Sequence, residues 1–283
     1  MNGEFQERSE AKIAVFDSAF LLGDGLWEGF RLRHGRFVHV ERHLDRLFRS
    51  AAAVHLDIGK TRSELIEIIN ETARRNDMHS DVHMRLMVSR GTKKTPSQDP
   101  RLVVGGPTIV VIAEHKRADP SVTAVGIRLH TASVRRPPAE TLDQRWNTHS
   151  KIHKVIALSE ALDAGADEAL MLDVDGNDAT CNATNFFIVT GGEVWTSTGE
   201  NCLNGITRSL VIELATEADI PVRETDFGIG RVYSTDEAFV TGTLTPVVAV
   251  DGRSIGDGKT PGVITRRLTD SYKAALDLAS EAS

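Results

Sequence analysis

Cysteine is scarce: Cys181 and Cys202 are the only two in 283 residues. Two cysteines build no disulfide framework and supply no paired metal-ligand spacing, which points to a reducing compartment. Neither charge sign dominates. Lys plus Arg number 33 against 40 for Asp plus Glu, so the net −7 arises from a mixed surface rather than a one-signed tail. Nucleic acid is therefore not an expected partner. No segment approaches the roughly 18 apolar residues needed to span a bilayer. Met1 to Lys12 is polar and lacks an apolar run behind a basic start. Internal repeats and low-complexity tracts are also missing. These absences predict a soluble, cytoplasmic protein with no membrane partner.

What is present reads as alternating strands and helices, with enough chain for two α/β domains. A strand is predicted at Lys12 to Phe16, and Phe37 to Val40 is the return of a hairpin turned at His34-Gly35. Leu44, Leu47, Phe48, Ala51 and Ala52 recur at helical spacing, and a second helix follows N-cap Thr61 to about Arg75. His83 to Ser89 and Thr108 to Ala113 read as buried strands around a polar loop, Arg90 to Pro107. Asp119-Pro120 punctuates the chain, which sets the expected domains at residues 1–118 and 119–283. Beyond it come a strand from Val125 to Ala132, a helix from Lys154 to Ala164 and strands at Ala169 to Asp173 and Asn185 to Val189. Asp175-Gly176 between those two strands is a hairpin signal. Ser209 to Ala218 and Pro261 to Leu276 are expected helices, and Glu237 to Thr241 and Val247 to Val250 expected strands.

Two places suit an anion. Gly205 permits close backbone approach, and Ile206 and Thr207 would present N–H groups at the start of a helix. Thr243, beside Gly242 and just past a strand, can aim a hydroxyl and an N–H at an oxyanion. Arg46 could fork onto phosphate oxygens. Against this, Gly205 alone is also an ordinary turn residue, and Arg46 alone an ordinary surface charge.

Four segments carry a resemblance. They are Gly23-Asp24-Gly25-Leu26-Trp27-Glu28-Gly29-Phe30-Arg31 with His43-Leu44-Asp45-Arg46-Leu47; Glu160-Ala161 with Ala166 to Asp173; Asn182-Ala183-Thr184-Asn185-Phe186-Phe187 with Gly205-Ile206-Thr207-Arg208; and Asp236 to Thr243. In order and spacing this set resembles the fold-type IV family of pyridoxal-phosphate (PLP) enzymes. These class IV aminotransferases include branched-chain and D-amino-acid aminotransferases and aminodeoxychorismate lyase. The resemblance implies a two-domain α/β (α+β) fold, pyridoxal 5'-phosphate as cofactor and a homodimer. It also implies an amino donor and a 2-oxo acid acceptor as small-molecule partners. The family positions that hold the cofactor phosphate fall on Arg46, Ile206, Thr207 and Thr243. Trp27 matches an aromatic that faces the substrate, although a buried Trp is otherwise simply core. Arg90 and Arg101 flank the polar loop and could meet a substrate carboxylate, although a solvated arginine is the commoner case.

Two residues depart from the pattern. The lysine to which the family joins its cofactor falls on Asn147, which cannot make that bond. A helix starting near Asn147 would put Lys151 and Lys154 on its face, and Lys151, one turn on, is the expected catalytic amine. The alternative is that Lys151 is an exposed helix lysine and the covalent chemistry is lost. The glutamate that keeps the ring nitrogen protonated is replaced by Thr180, whose neutral hydroxyl can hydrogen-bond that nitrogen but not hold a proton there by charge. An aminotransferase is the leading expectation. A lyase on an amino-substituted ring acid and a non-catalytic relative binding a phosphorylated ligand or a partner protein are the alternatives.

Overall fold

The computed structural model describes residues 1–117, 119–258 and 260–281. The chain divides into two units. One comprises Met1–Arg117, Trp146–Ser150 and the C-terminal residues from Asp277; the other comprises Ala118–Arg145 and Lys151–Leu276.

In the first unit, α1 (Ser18–Leu22) precedes β1 (Gly25–Arg33), β2 (Arg36–Phe37), α2 (Val40–Ala53), α3 (Arg62–Arg75), β3 (Val82–Ser89) and β4 (Thr108–His115). The strands form an antiparallel sheet ordered β2-β1-β3-β4. Alternation decides which face is buried. Val82, Met84, Leu86 and Val88 of β3 point inward with Leu26, Phe30 and Leu32 of β1, and Leu44, Leu47, Leu65 and Ile69 of the two helices cover them. Helix α3 starts at the predicted Thr61, which forms a reciprocal capping box with Glu64. The expected strand at Lys12 to Phe16 does not form: those residues are exposed coil and turn, and α1 follows, with Asp17 capping it. An exposed stretch with no neighbouring strand has nowhere to place its ladder hydrogen bonds.

In the second unit, α4 (Pro120–Val125), β5 (Ile127–Thr131), α5 (Ala139–Leu142), α6 (Ile152–Asp163), β6 (Glu168–Leu172), β7 (Asp178–Cys181), β8 (Phe186–Thr190) and β9 (Glu193–Thr196) come first. Then follow α7 (Ile206–Glu217), β10 (Val222–Glu224), α8 (Ile229–Tyr233), β11 (Glu237–Val240), β12 (Thr245–Val250), β13 (Arg253–Ser254) and α9 (Val263–Glu281), whose last residues from Asp277 fall in the first unit. The sheet runs β10-β9-β8-β11-β12-β5-β6-β7, with β13 on β12. The turn at Asp175-Gly176 joins β6 to β7, a strand absent from the sequence reading, rather than to β8. All four β7 residues, Asp178 and Thr180 included, are buried, and so short a polar-apolar alternation beside a turn carries no apolar run to mark it as a strand.

The helix expected to begin near Asn147 begins at Ile152, with Lys151 as its N-cap. Residues 147–149 instead lie alongside β1 in the first unit: the Trp27 N–H donates to the Asn147 carbonyl at 3.0 Å, and that of His149 to the Gly25 carbonyl at 2.9 Å. Those extended contacts use the backbone groups that a helical turn would need.

Candidate active site

Helix α6 lies against β6 through Ala157 and Ala161, both fully buried with Ala169 and Met171. At 3.6 residues per turn Lys154 falls on that same inward face, while Ile152, Val155, Ile156 and Leu162 fall on the outward one and are exposed. Lys154 is half-buried overall, its amine end is covered, and that amine is hydrogen-bonded to Lys151. Burial first, then the charges of Arg136 and Lys151, hold the Lys154 amine well below the usual lysine range. The same causes bring His153 down to about 4, so its ring is neutral at pH 7. That ring faces Gln144 Oε1 at 3.2 Å.

Across the second unit, Asn185 gathers segments that are far apart in sequence. Its backbone N–H donates to Thr241 Oγ1 at 2.8 Å, and its Nδ2 donates to the Leu203 carbonyl at 2.9 Å and contacts Cys202 Sγ at 3.6 Å. Thr180 Oγ1 sits 3.4 Å from the same Nδ2 and gives its own proton to the Thr184 carbonyl at 2.8 Å. Toward any further group Thr180 can therefore only accept. Gly205 packs so closely on Asn185 that a Cβ there would lie 2.3 Å from Oδ1. The helix that follows, α7, has no side-chain cap, so the amides of its first turn face outward from the end of the helix. Thr243 Oγ1 is 2.9 Å from Thr245 Oγ1, on the loop that leaves β11 through Thr241. Thr180 and Gly205, the residue before Ile206 and Thr207, thus meet at Asn185, which also bonds Thr241, two residues before Thr243.

The other sequence candidates belong to the first unit. Arg46 donates through Nε (2.8 Å) and Nη2 (2.7 Å) to Glu28, which is fully buried and also meets His43 Nδ1 at 2.7 Å. Trp27 donates from Nε1 to the Thr148 carbonyl at 3.2 Å and stacks under Arg85. Arg90 pairs with both oxygens of Asp24 and donates to the Val54 and His55 carbonyls, which fixes the corner after β3. Arg101 is exposed and clasps Asp99.

The sequence reading missed three residues. Asn185 was read only as part of a motif, and neither Arg136 nor Asp178 was given a role. Asp178 is buried, and among the described residues neither of its oxygens has a hydrogen-bond partner. Burial, aided by Asp173, pushes its carboxyl well above the usual range, so the fold favours the protonated form more than the unfolded chain does. Its contribution to stability is full below the unfolded value and lost as pH rises toward the folded one. Asp178→Asn is expected to gain on the order of 1 kcal/mol at pH 7 and to flatten that decline. Urea unfolding at several pH values measures it; an unchanged slope would contradict the assignment.

Gly205→Ala tests the anion cradle. The Gly205 φ of −65° suits alanine, so the only cost is the displacement of Asn185. Inorganic phosphate should bind about tenfold more weakly, equivalent to losing one hydrogen bond of about 1.4 kcal/mol. Equal affinity in a calorimetric titration would mean that the start of α7 is not the cradle.

Comparison with known proteins gives concordant matches. The family described as amino-transferase class IV matches residues 25–252. The chain is 39% identical over 279 residues to branched-chain-amino-acid aminotransferase-like protein 2 of Arabidopsis thaliana, covering 97% of this chain and 49% of that protein. It thus spans about half the length of that relative. It is 30% identical over 290 residues to the D-alanine aminotransferase of Staphylococcus haemolyticus, covering 99% of this chain and 98% of that one. Among solved structures, the T.th. branched-chain amino acid aminotransferase with pyridoxamine 5'-phosphate superposes with a TM-score of 0.91 at 31% identity, covering 98% of this chain and 93% of that one.

Proposed function

We propose, since this chain belongs to the class IV aminotransferase family, that it is a PLP-dependent aminotransferase moving an amino group between an amino acid or amine and a 2-oxo acid. The observation that carries this reading is the covered amine of Lys154 on the inward face of α6, in the same unit as an uncapped helix start at Gly205. Lys151 was the amine expected from the sequence. The inward face of α6 favours Lys154 as the nucleophile, with burial first and the charges of Arg136 and Lys151 after it lowering its affinity for a proton.

The residues present fit a phosphorylated aldehyde. The amides of Ile206 and Thr207 at the start of α7, with the Thr243 hydroxyl, would hold its phosphate, and Arg46 is the expected guanidinium. When bound, PLP supplies an aldehyde that takes up the amino group and a ring that draws off electrons. The Lys154 amine, its pKa lowered by burial and neighbouring charge, can attack a carbonyl carbon in its free-base form and can hold a proton at Nζ between steps. Thr180 offers a lone pair without charge, which makes the ring a weaker electron sink than an acidic partner would. Trp27 and Arg90 remain the proposed substrate-side residues, with Arg90 acting through the Asp24 corner.

Borohydride reduction of the PLP-treated protein followed by peptide mass mapping tests this reading. The expected result is a reduced phosphopyridoxyl group on Lys154. Label on Lys151 would return the nucleophile to that residue, and label on neither lysine would replace the enzyme reading by that of a non-catalytic relative. The exposed apolar row Ile152, Val155, Ile156 and Leu162 on α6 supports assembly as a homodimer. Two buried cysteines without a disulfide support a reducing, cytoplasmic setting.

A further inference from the structure

Arg136 stands apart from every other arginine described above. The strand-like chain leaving β5 places it beside β6, where its N–H donates to the Leu172 carbonyl at 2.8 Å. Its side chain is 0% exposed. Nε donates to the Asn201 carbonyl at 3.1 Å, but among the described residues neither Nη1 nor Nη2 has a partner. Burial brings its pKa down to about 10, so it still carries its charge at pH 7. The ionisable groups that feel it are Cys202, whose thiol burial keeps protonated, together with His153 and Lys154; Lys151 adjoins Lys154. None of these is a carboxylate. An unpaired buried cation costs several kcal/mol, a cost that an incoming anion would offset.

With Nε occupied, the free edge of the guanidinium is the Nη1–Nη2 fork. Two parallel N–H groups in one plane match the two oxygens of a carboxylate better than a tetrahedral oxyanion. We propose that Arg136 anchors a carboxylate-binding site inside the second unit, built from other residues than the start of α7 and taking the carboxylate of a small-molecule substrate such as an amino acid or 2-oxo acid. The site stands without the aminotransferase reading, because it needs no cofactor and no reaction.

Propionate and its neutral isostere propionamide are the probes, titrated calorimetrically into the protein at constant ionic strength. Propionate is expected to bind about tenfold or more tightly than propionamide, and Arg136→Gln to erase the difference while Arg136→Lys keeps part of it. Inorganic phosphate binding that survives in Arg136→Gln belongs to α7, and its survival supports the separation of the two sites. Loss of phosphate and propionate together in a folded Arg136→Gln would merge them and overturn the proposal. Equal binding of propionate and propionamide, or propionate binding unchanged in Arg136→Gln, would overturn it as well.

A second measurement on the unaltered protein removes the dependence on folding of the variant. An anion at Arg136 favours protonation of Lys154, so competitive acetylation of Lys154, read by peptide mass mapping, should slow severalfold with propionate and not with propionamide. An unchanged rate would remove the site. Failure of these tests leaves phosphopyridoxyl labelling of Lys154 unaffected, so the two readings fail separately.

Discussion

Replacing Lys154 by methionine should leave the second unit folded and lower amino transfer by about a thousandfold or more, the scale of losing a group that transfers the proton and forms the bond. Methionine retains most of the lysine stem against Ala157 and Ala161 and removes an amine that burial disfavours in its charged form. Lys151→Met should behave differently. Removing its charge relieves Lys154, whose amine then titrates closer to the usual lysine range, so transfer falls at neutral pH and recovers as pH rises. The discriminating measurement is the pH profile of the two variants: displaced toward alkali in Lys151→Met, flat and near zero in Lys154→Met. An active Lys154→Met beside a dead Lys151→Met would reverse the two roles.

Glu28→Gln is the second large effect. Burial acts to raise the Glu28 carboxyl, but the Arg46 charge and hydrogen bonds, with those of His43, outweigh it and hold it below the usual carboxylate range. Breaking one side of such a buried pair costs about 3–5 kcal/mol. In a chain of this size that corresponds to a fall of roughly 10 °C in Tm. The sign with pH follows from the lowered value: the stabilisation is present above the unfolded carboxyl value and is lost as pH falls through the folded one. Glu28→Gln should therefore be weaker near neutrality and lose little further from about pH 5 downward, where the unaltered protein declines. Acid unfolding curves with parallel slopes would show that Glu28 carries no such linkage.

The pair also explains why the sequence hid β1. Alternation predicts Leu26, Phe30 and Leu32 inward, but Glu28 shares their face and is as buried as they are. Its partners lie on α2, so the charge reads as a break in the pattern until the helix is in place. By contrast, α2 and α3 were legible because their apolar period and the Thr61 cap are local signals. The entry into α7 was legible for the same reason, since Gly205 and the residues after it are contiguous. Asn185 and Arg136 were not, because what they do depends on Thr241, Leu203 and Asn201, each reached only through the sheet. The helix start moved from Asn147 to Ile152 because residues 147–149 spend their backbone bonds on β1, a competition that no local propensity records.

The convergence on Asn185 has a kinetic side. Its bonds span residues 180 to 241, so this convergence forms only after β8 and β11 have paired and the Leu203 loop has closed over them. Contacts of such sequence separation form late and slowly, since loop closure must be met before they contribute. If the proposed phosphate site is right, a phosphorylated ligand would bind the finished unit and not its unfolded chain, so it would slow unfolding and protect the β8–β11 amides from hydrogen exchange while doing little to hasten folding.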